Sequence, residues 1–222
     1  MATTMVQEIP LPYLKNPATV ARLESGHTVV VVPKPGEVVH LHTVVRTGSI
    51  HEDDSNTGIS HFLEHLMFKG TPNHPAGEFD RILEGMGARI NASTSKDWTQ
   101  YFATLPRGRD GEFYRRALEL HADMMLNPLL PEEEIGPPFD LNGPPPSQKR
   151  ERHVVLEEIK MGRDNPWRRC LQEFNELMYR CHPYRREVIG TAEVIAAVTR
   201  ETLLAYYRRW YNADNLITIV AV

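Results

Sequence analysis

The sequence predicts an α+β domain: a mainly antiparallel β-sheet with helices packed on it. Three observations carry that expectation. Two pairs of β-branched runs are each joined by a short polar turn, as hairpins are. Between and after them lie apolar residues at helical spacing. No regular strand-helix-strand alternation runs through the chain, and a parallel sheet would need one.

The first hairpin spans residues 20–24 and 28–32 around Ser25-Gly26-His27. A third strand follows at 38–46, with His40, His42 and Val44 on one face and Val39, Leu41, Thr43 and Val45 on the other. His40 and His42 alternate with a fully apolar face, so they are expected to meet solvent or a covering helix rather than a metal. Residues 48–57 are polar and turn-rich. Asn56 or Thr57 is expected to cap the next helix, which stops near Gly70 before Pro72 and buries Leu63, Leu66 and Met67. A second helix, 76–86, carries Phe79, Ile82, Leu83 and Met86 and ends at Gly85 and Gly87.

The second hairpin, 88–94 and 99–105, turns at Lys96-Asp97. A long helix at 111–126 follows, with Tyr114, Met124 and Met125 expected in the core. Seven prolines in the nineteen residues 128–146 exclude helix and interior strand there by their density and predict an extended, mobile surface loop. Ser147 is expected to cap a helix reaching 163, and Asn165-Pro166 to break it. Further helices are read at 167–179, 192–198 and 200–210, the last capped by Thr199. The strand at 216–222 is apolar to the final residue, so another element is expected downstream.

The 222 residues can bury a core without a metal or disulfide staple. A net charge of −4, mixed along the chain, gives no case for nucleic acid or an anionic membrane. Cys170 and Cys181 lack Cys-x-x-Cys spacing and are expected as reduced, partly buried thiols. There is no signal-peptide pattern and no apolar stretch of membrane-spanning length. A soluble, cytoplasmic protein is expected, although a leader removed by processing would not show.

The stretch with chemistry in it is His61-Phe62-Leu63-Glu64-His65. At about 100° per residue, Glu64 lies about 60° to one side of His61 and His65 about 40° to the other, so all three share a helix face. Two imidazoles can grip one divalent ion, and open catalytic zinc sites commonly add a carboxylate and keep a fourth position for water. Glu64 is placed to take a proton from that water. This is the inverted H-x-x-E-H arrangement. The helix from 147 to 163 offers a third ligand: Glu151 and Glu158 are about 20° from eclipsed, and Glu157 is rotated about 100° from Glu158, so only one of that pair can face an ion.

These motifs together, with Phe68-Lys69-Gly70-Thr71, Asn91-Ala92-Ser93-Thr94 and Glu151-Arg152 ahead of Val155-Leu156-Glu157-Glu158, resemble the pitrilysin/insulinase (M16) metallopeptidases. The likeness is closest to bacterial members similar to mitochondrial processing peptidase and runs from about residue 20 to the end. The resemblance implies a zinc endopeptidase acting on peptides or unfolded segments, with one Zn2+ held by His61, His65 and Glu158. It implies Glu64 as general base and Glu151 as a supporting acidic residue beside the site. Asn91, Ala92, Ser93 and Thr94 become an edge strand that holds substrate by main-chain pairing.

Two features depart from the family pattern. The proline-rich stretch lengthens the path between the second His and the third ligand. The family's second, similar domain, which supplies an Arg-Tyr pair, is not expected within these 222 residues. Residues 1–222 are therefore expected as one metal-bearing domain that pairs with a second M16-like domain or subunit. Two other readings compete: a non-catalytic scaffold subunit, and a small zinc lyase resembling S-ribosylhomocysteine lyase, with Cys170 or Cys181 as third ligand.

Overall fold

The computed structural model describes residues 3–143 and 148–222. Its centre is a seven-stranded sheet of β1 (Thr3–Ile9), β2 (Ala18–Leu23), β3 (Thr28–Val32), β4 (Val38–Val45), β5 (Arg89–Thr94), β6 (Thr99–Pro106) and β7 (Leu216–Ala221), in the spatial order β1-β2-β3-β7-β4-β6-β5. Both expected hairpins form, β2 with β3 and β5 with β6. The last strand enters the middle of the sheet, parallel to β3 (Val30 opposite Ile219) and antiparallel to β4 (His42 opposite Ile219). All other pairings are antiparallel, so the sheet is mainly antiparallel as expected. Strand β1 was not anticipated. Its described side chains, Met5, Val6 and Ile9 among them, stay exposed, and its order comes from backbone pairing with β2 at the sheet's edge.

Helices α1 (Ile59–Met67), α2 (Glu78–Gly85), α3 (Glu112–Leu126), α4 (Glu132–Ile135), α5 (Glu151–Arg163), α6 (Pro166–Met178), α7 (Ala192–Ala197) and α8 (Arg200–Trp210) complete the chain. On the buried face of the sheet, Val45, Tyr101, Ala103, Leu105 and Leu216 join one core with Phe62, Leu63, Leu66 and Met67 of α1. Leu120, Met124 and Met125 of α3 and Val155 and Ile159 of α5 pack into the same core. Each fully buried Val, Leu, Ile, Phe or Met among these contributes about 2 kcal/mol. Tyr114, expected with the α3 methionines, is only half-buried. His40 and His42 occupy the other face of the sheet beside Phe102, and His40 Nδ1 hydrogen-bonds Thr104 Oγ1 at 2.8 Å.

Several local expectations need correction. Neither Asn56 nor Thr57 caps α1. The cap residue is Gly58 at φ 89°, and the buried Glu52 carboxylate accepts from Gly58 N at 2.7 Å and Ser60 N at 2.9 Å. Glycine is required there, because a Cβ would stand 2.5 Å from Ile189 O.

The proline-rich stretch does contain a helix, α4. Pro131 immediately precedes it, where a missing N–H costs nothing, and three glutamates occupy the positive end of its dipole. Leu130 and Ile135 are fully buried, so this segment is anchored in the core instead of looping over the surface. The proposed cap Ser147 lies outside the described residues. At Arg150, the cap of α5, the backbone N–H donates to His153 Nδ1 at 2.9 Å. Asn165 and Thr199 cap α6 and α8 through their side chains. Both cysteines are exposed, not partly buried: Cys170 lies on α6, no residue of which is buried, and Cys181 lies in the turn after it.

A chain of polar side chains crosses the buried face. His121 Nε2 meets Thr43 Oγ1 at 2.8 Å, Thr43 meets Thr218 at 3.0 Å, and Thr218 meets His27 Nε2 at 3.0 Å. Burial, reinforced by the charge of His42, lowers the His121 pKa to about 4. The unfolded chain therefore binds a proton that the folded one refuses, so the stability His121 confers is full above pH 6.5 and lost as pH falls towards 4. The drop is about 3 kcal/mol. Urea midpoints across that range should fall more steeply in the wild type than in His121→Leu, and parallel curves would refute the assignment. No helix among the described residues is long and apolar enough to cross a membrane.

Candidate metal centre

His61 and His65 stand one turn apart on α1, with ring centroids 4.7 Å apart. The burial of Phe62, Leu63 and Leu66 turns that face of α1 away from the sheet and towards α5. Val155 and Ile159 seat α5 in the same core, which brings Glu158 over the two imidazoles. Its Oε2 lies 3.7 Å from His61 Nε2 and 3.7 Å from His65 Nε2. One ligand atom from each of the three residues falls within 4.8 Å of the others. Three ligands at 2.0–2.2 Å from a tetrahedral zinc stand about 3.4 Å from one another, so these residues fit a divalent cation with only a small contraction. Glu157 points away, exposed and 3.6 Å from Lys149 Nζ.

Glu151 does not join the three. Its Oε1 meets His65 Nδ1 at 2.8 Å and its Oε2 meets Lys69 Nζ at 2.5 Å. The contact to Nδ1 turns His65 Nε2 towards Glu158, the usual device by which a carboxylate orients a metal-binding imidazole. Lys69 also lies 3.9 Å from Glu134 Oε1, while Glu134 Oε2 accepts from the backbone N of Glu151 at 3.1 Å. Lys69 and Glu134 were not anticipated. Lys69 had a visible signal, since it follows His65 by one helical turn. Glu134, seventeen residues before Glu151, had none.

Glu64 is buried beside the pair and accepts a hydrogen bond at Oε2 from Thr94 Oγ1 at 2.5 Å. On β5, register places Ala92 and Thr94 opposite Tyr101 and Thr99, on the helix side of the sheet, and Asn91 and Ser93 opposite Phe102 and Gln100 on the far side. The four edge-strand residues therefore divide. Asn91 Oδ1 accepts from Ala92 N at 2.9 Å, Ser93 Oγ from Gln100 Nε2 at 2.9 Å, and Thr94 Oγ1 donates to Glu64. Since β5 ends the sheet, one of its edges carries no strand among the described residues.

Burial first, then the charges of His65 and Arg168, pull the His61 pKa down to about 3, which keeps the ring neutral, the form that binds metal. Burial opposes protonation of His65 too, but the hydrogen bond to Glu151 and the charges of Glu158, Glu151 and Glu64 outweigh it and raise its pKa. Burial raises Glu64, against the bond from Thr94 and the charge of His65. His61 Nδ1 is buried without a hydrogen-bond partner among the described residues.

Two imidazoles and a carboxylate facing one point, with a second carboxylate beside them, are a donor set that could hold a metal ion on an α+β scaffold. The sequence pattern of insulinase (Peptidase family M16) matches residues 28–192, and the chain belongs to that family. It is 30% identical over 209 residues to an uncharacterized zinc protease of Rickettsia felis, covering 94% of this chain and 47% of that one. The crystal structure of a protease from Helicobacter pylori superposes with a TM-score of 0.80 at 32% identity, over 91% of this chain and 45% of that one. The first half of the periplasmic protease PqqL from Escherichia coli gives 0.79 at 28% identity, over 97% and 44%. The chain thus spans about half the length of the first curated relatives it matches.

Proposed function

We propose that this chain is the metal-bearing domain of a zinc endopeptidase that hydrolyses peptides or unfolded polypeptide segments. The observation that carries this is the approach of Glu158 Oε2 to both imidazoles while Glu64 stays apart from that contact. His61, His65 and Glu158 would hold one zinc ion. When bound, the ion supplies Lewis acidity, polarising the scissile carbonyl and acidifying a water molecule.

The remaining work falls to side chains of the protein. Glu64, kept basic enough to accept a proton by its burial and steered by Thr94, takes the proton from the attacking water and delivers it to the leaving amine. Glu151 and Lys69 fix the orientation of His65. The unpaired edge of β5 offers backbone groups to an extended peptide, with Ala92 and Thr94 turned towards the site and Asn91 and Ser93 away from it. Because the curated relatives are about twice as long, the domain is proposed to act together with a second M16-like domain or subunit, and to need it for full turnover.

The test is metal content. After dialysis against a weak chelator, Glu158→Gln is expected to lose most of its zinc and Glu157→Gln to keep it, by atomic emission. Equal retention by both removes Glu158 from the ligand set. Glu151→Gln is expected to weaken zinc affinity by about 10- to 100-fold in chelator competition, since it releases His65 Nδ1. Unchanged affinity would make that contact incidental.

A further inference from the structure

Next to the metal centre, between the end of β5, the start of α6 and the turn at residues 183–189, lies an open pocket of about 290 Å³. His61, Thr94 and Glu158 form its inner wall, so whatever occupies it also touches the site. Its charged lining is uneven. Lys96, Arg168, Arg185 and Arg186 face two carboxylates, Glu187 and Glu158, and Glu158 is engaged with the histidines. The excess is positive before any cation is bound and grows when one is.

These cations are not equivalent. Lys96 is spent on the wall, donating to the carbonyls of Tyr184 and Arg186. Arg186 is held by Asp54 at 2.9 Å and by the carbonyl of Glu52 at 2.9 Å, and Arg185 donates to the carbonyl of Arg180 at 3.1 Å. Arg168 alone of the four makes no ion pair or side-chain hydrogen bond among the described residues. It lies across α5 at Gly162, one turn beyond Glu158, where a Cβ would stand 2.6 Å from its Nη1. The absence of a side chain at 162 is what admits the guanidinium. Its charge is felt at His61 and at Glu187. Five N–H donors on a planar fork, set beside the reacting centre and without a protein acceptor, suit a carboxylate.

We propose that this pocket is a substrate subsite for a carboxylate of the peptide, with Arg168 as its specificity-determining residue. The inference rests on the peptidase reading above and narrows it to acidic peptide segments. Two sources share the chemistry: an Asp or Glu side chain near the scissile bond, and the free C-terminus of a short peptide.

The zinc-loaded 222-residue chain carrying Glu64→Gln, which holds substrate without turnover, is titrated with fluorescein-labelled decapeptides by anisotropy. In one series Glu, Gln or Lys is walked through a neutral host, and in another the host ends in a free acid or an amide. Glu is expected to bind about tenfold more tightly than Gln in at least one position, with the ratio shrinking between 50 and 500 mM NaCl. Adding Arg168→Ala should bring the ratio below about two, and Arg168→Glu should turn the preference to Lys. A preference confined to the free-acid host identifies the C-terminus as the source. Equal binding of Glu, Gln and Lys, with no free-acid preference, overturns the acidic subsite while leaving the peptidase reading in place. A preference that survives Arg168→Ala overturns the role of Arg168. Failure of every peptide to bind, both to the chain alone and with a candidate second M16-like chain added, overturns both.

Discussion

Glu64→Gln is expected to lower peptide hydrolysis by about a thousandfold or more while bound zinc stays at the wild-type level. Glutamine has almost the shape of glutamate and can still accept the Thr94 hydroxyl at its amide oxygen, so the helix face and the convergence of His61, His65 and Glu158 should persist. What it lacks is a group able to take a proton and return it, and a positioned general base typically accounts for 10²- to 10⁴-fold. The assay is cleavage of a quenched peptide, run with and without a candidate second M16-like chain, beside atomic emission on the same samples. Wild-type turnover in the variant would remove Glu64 from the proton transfer. Loss of zinc along with activity would place it among the ligands.

Arg152→Met is expected to cost about 3–5 kcal/mol of stability, the largest single effect away from the site. Arg152 is fully buried and its guanidinium donates to four backbone carbonyls: Ala196 and Val198 at 2.5 Å each, Gly136 at 3.1 Å and Pro137 at 3.4 Å. It thereby ties α5 to the end of α7 and to the turn after α4, and its charge stacks 5.9 Å from the centre of Phe62 on α1. Methionine restores much of the volume and none of the donors, taking from the carbonyls of Gly136, Pro137 and Val198 the donor they have and leaving Ala196 O only the backbone N–H of Phe139 at 3.3 Å. The urea midpoint should fall by more than about 1 M. Because the same anchor holds α5 over α1, zinc affinity should weaken as well, although no ligand is changed. A shift of less than about 0.3 M would mean that those carbonyls find other donors at no cost.

How far the sequence could be read depended on how local each determinant was. Helical spacing places His61, Glu64 and His65 on one face whatever the rest of the chain does, and the cap at Thr199 is settled by neighbours a few residues away. The two hairpins are likewise written in short runs with turns between them. The choice between Glu157 and Glu158 is different, because both are acidic, adjacent and on the same helix. Spacing admits only one of them, and the resemblance selected the second.

Only the packing of α5, seated by Val155 and Ile159 and clamped by Arg152, gives that choice a physical basis. The same holds for β7, which crosses the whole chain to lie between β3 and β4, and for Thr94, thirty residues from the carboxylate it orients. Glu52 in place of Asn56 at the start of α1, and a buried Leu130 and Ile135 within a proline-rich stretch, belong with them. Local geometry follows from backbone sterics and near neighbours, so residue order determines it. Contacts between distant segments depend on which apolar faces bury each other, and several partners satisfy the same pattern until the whole core closes.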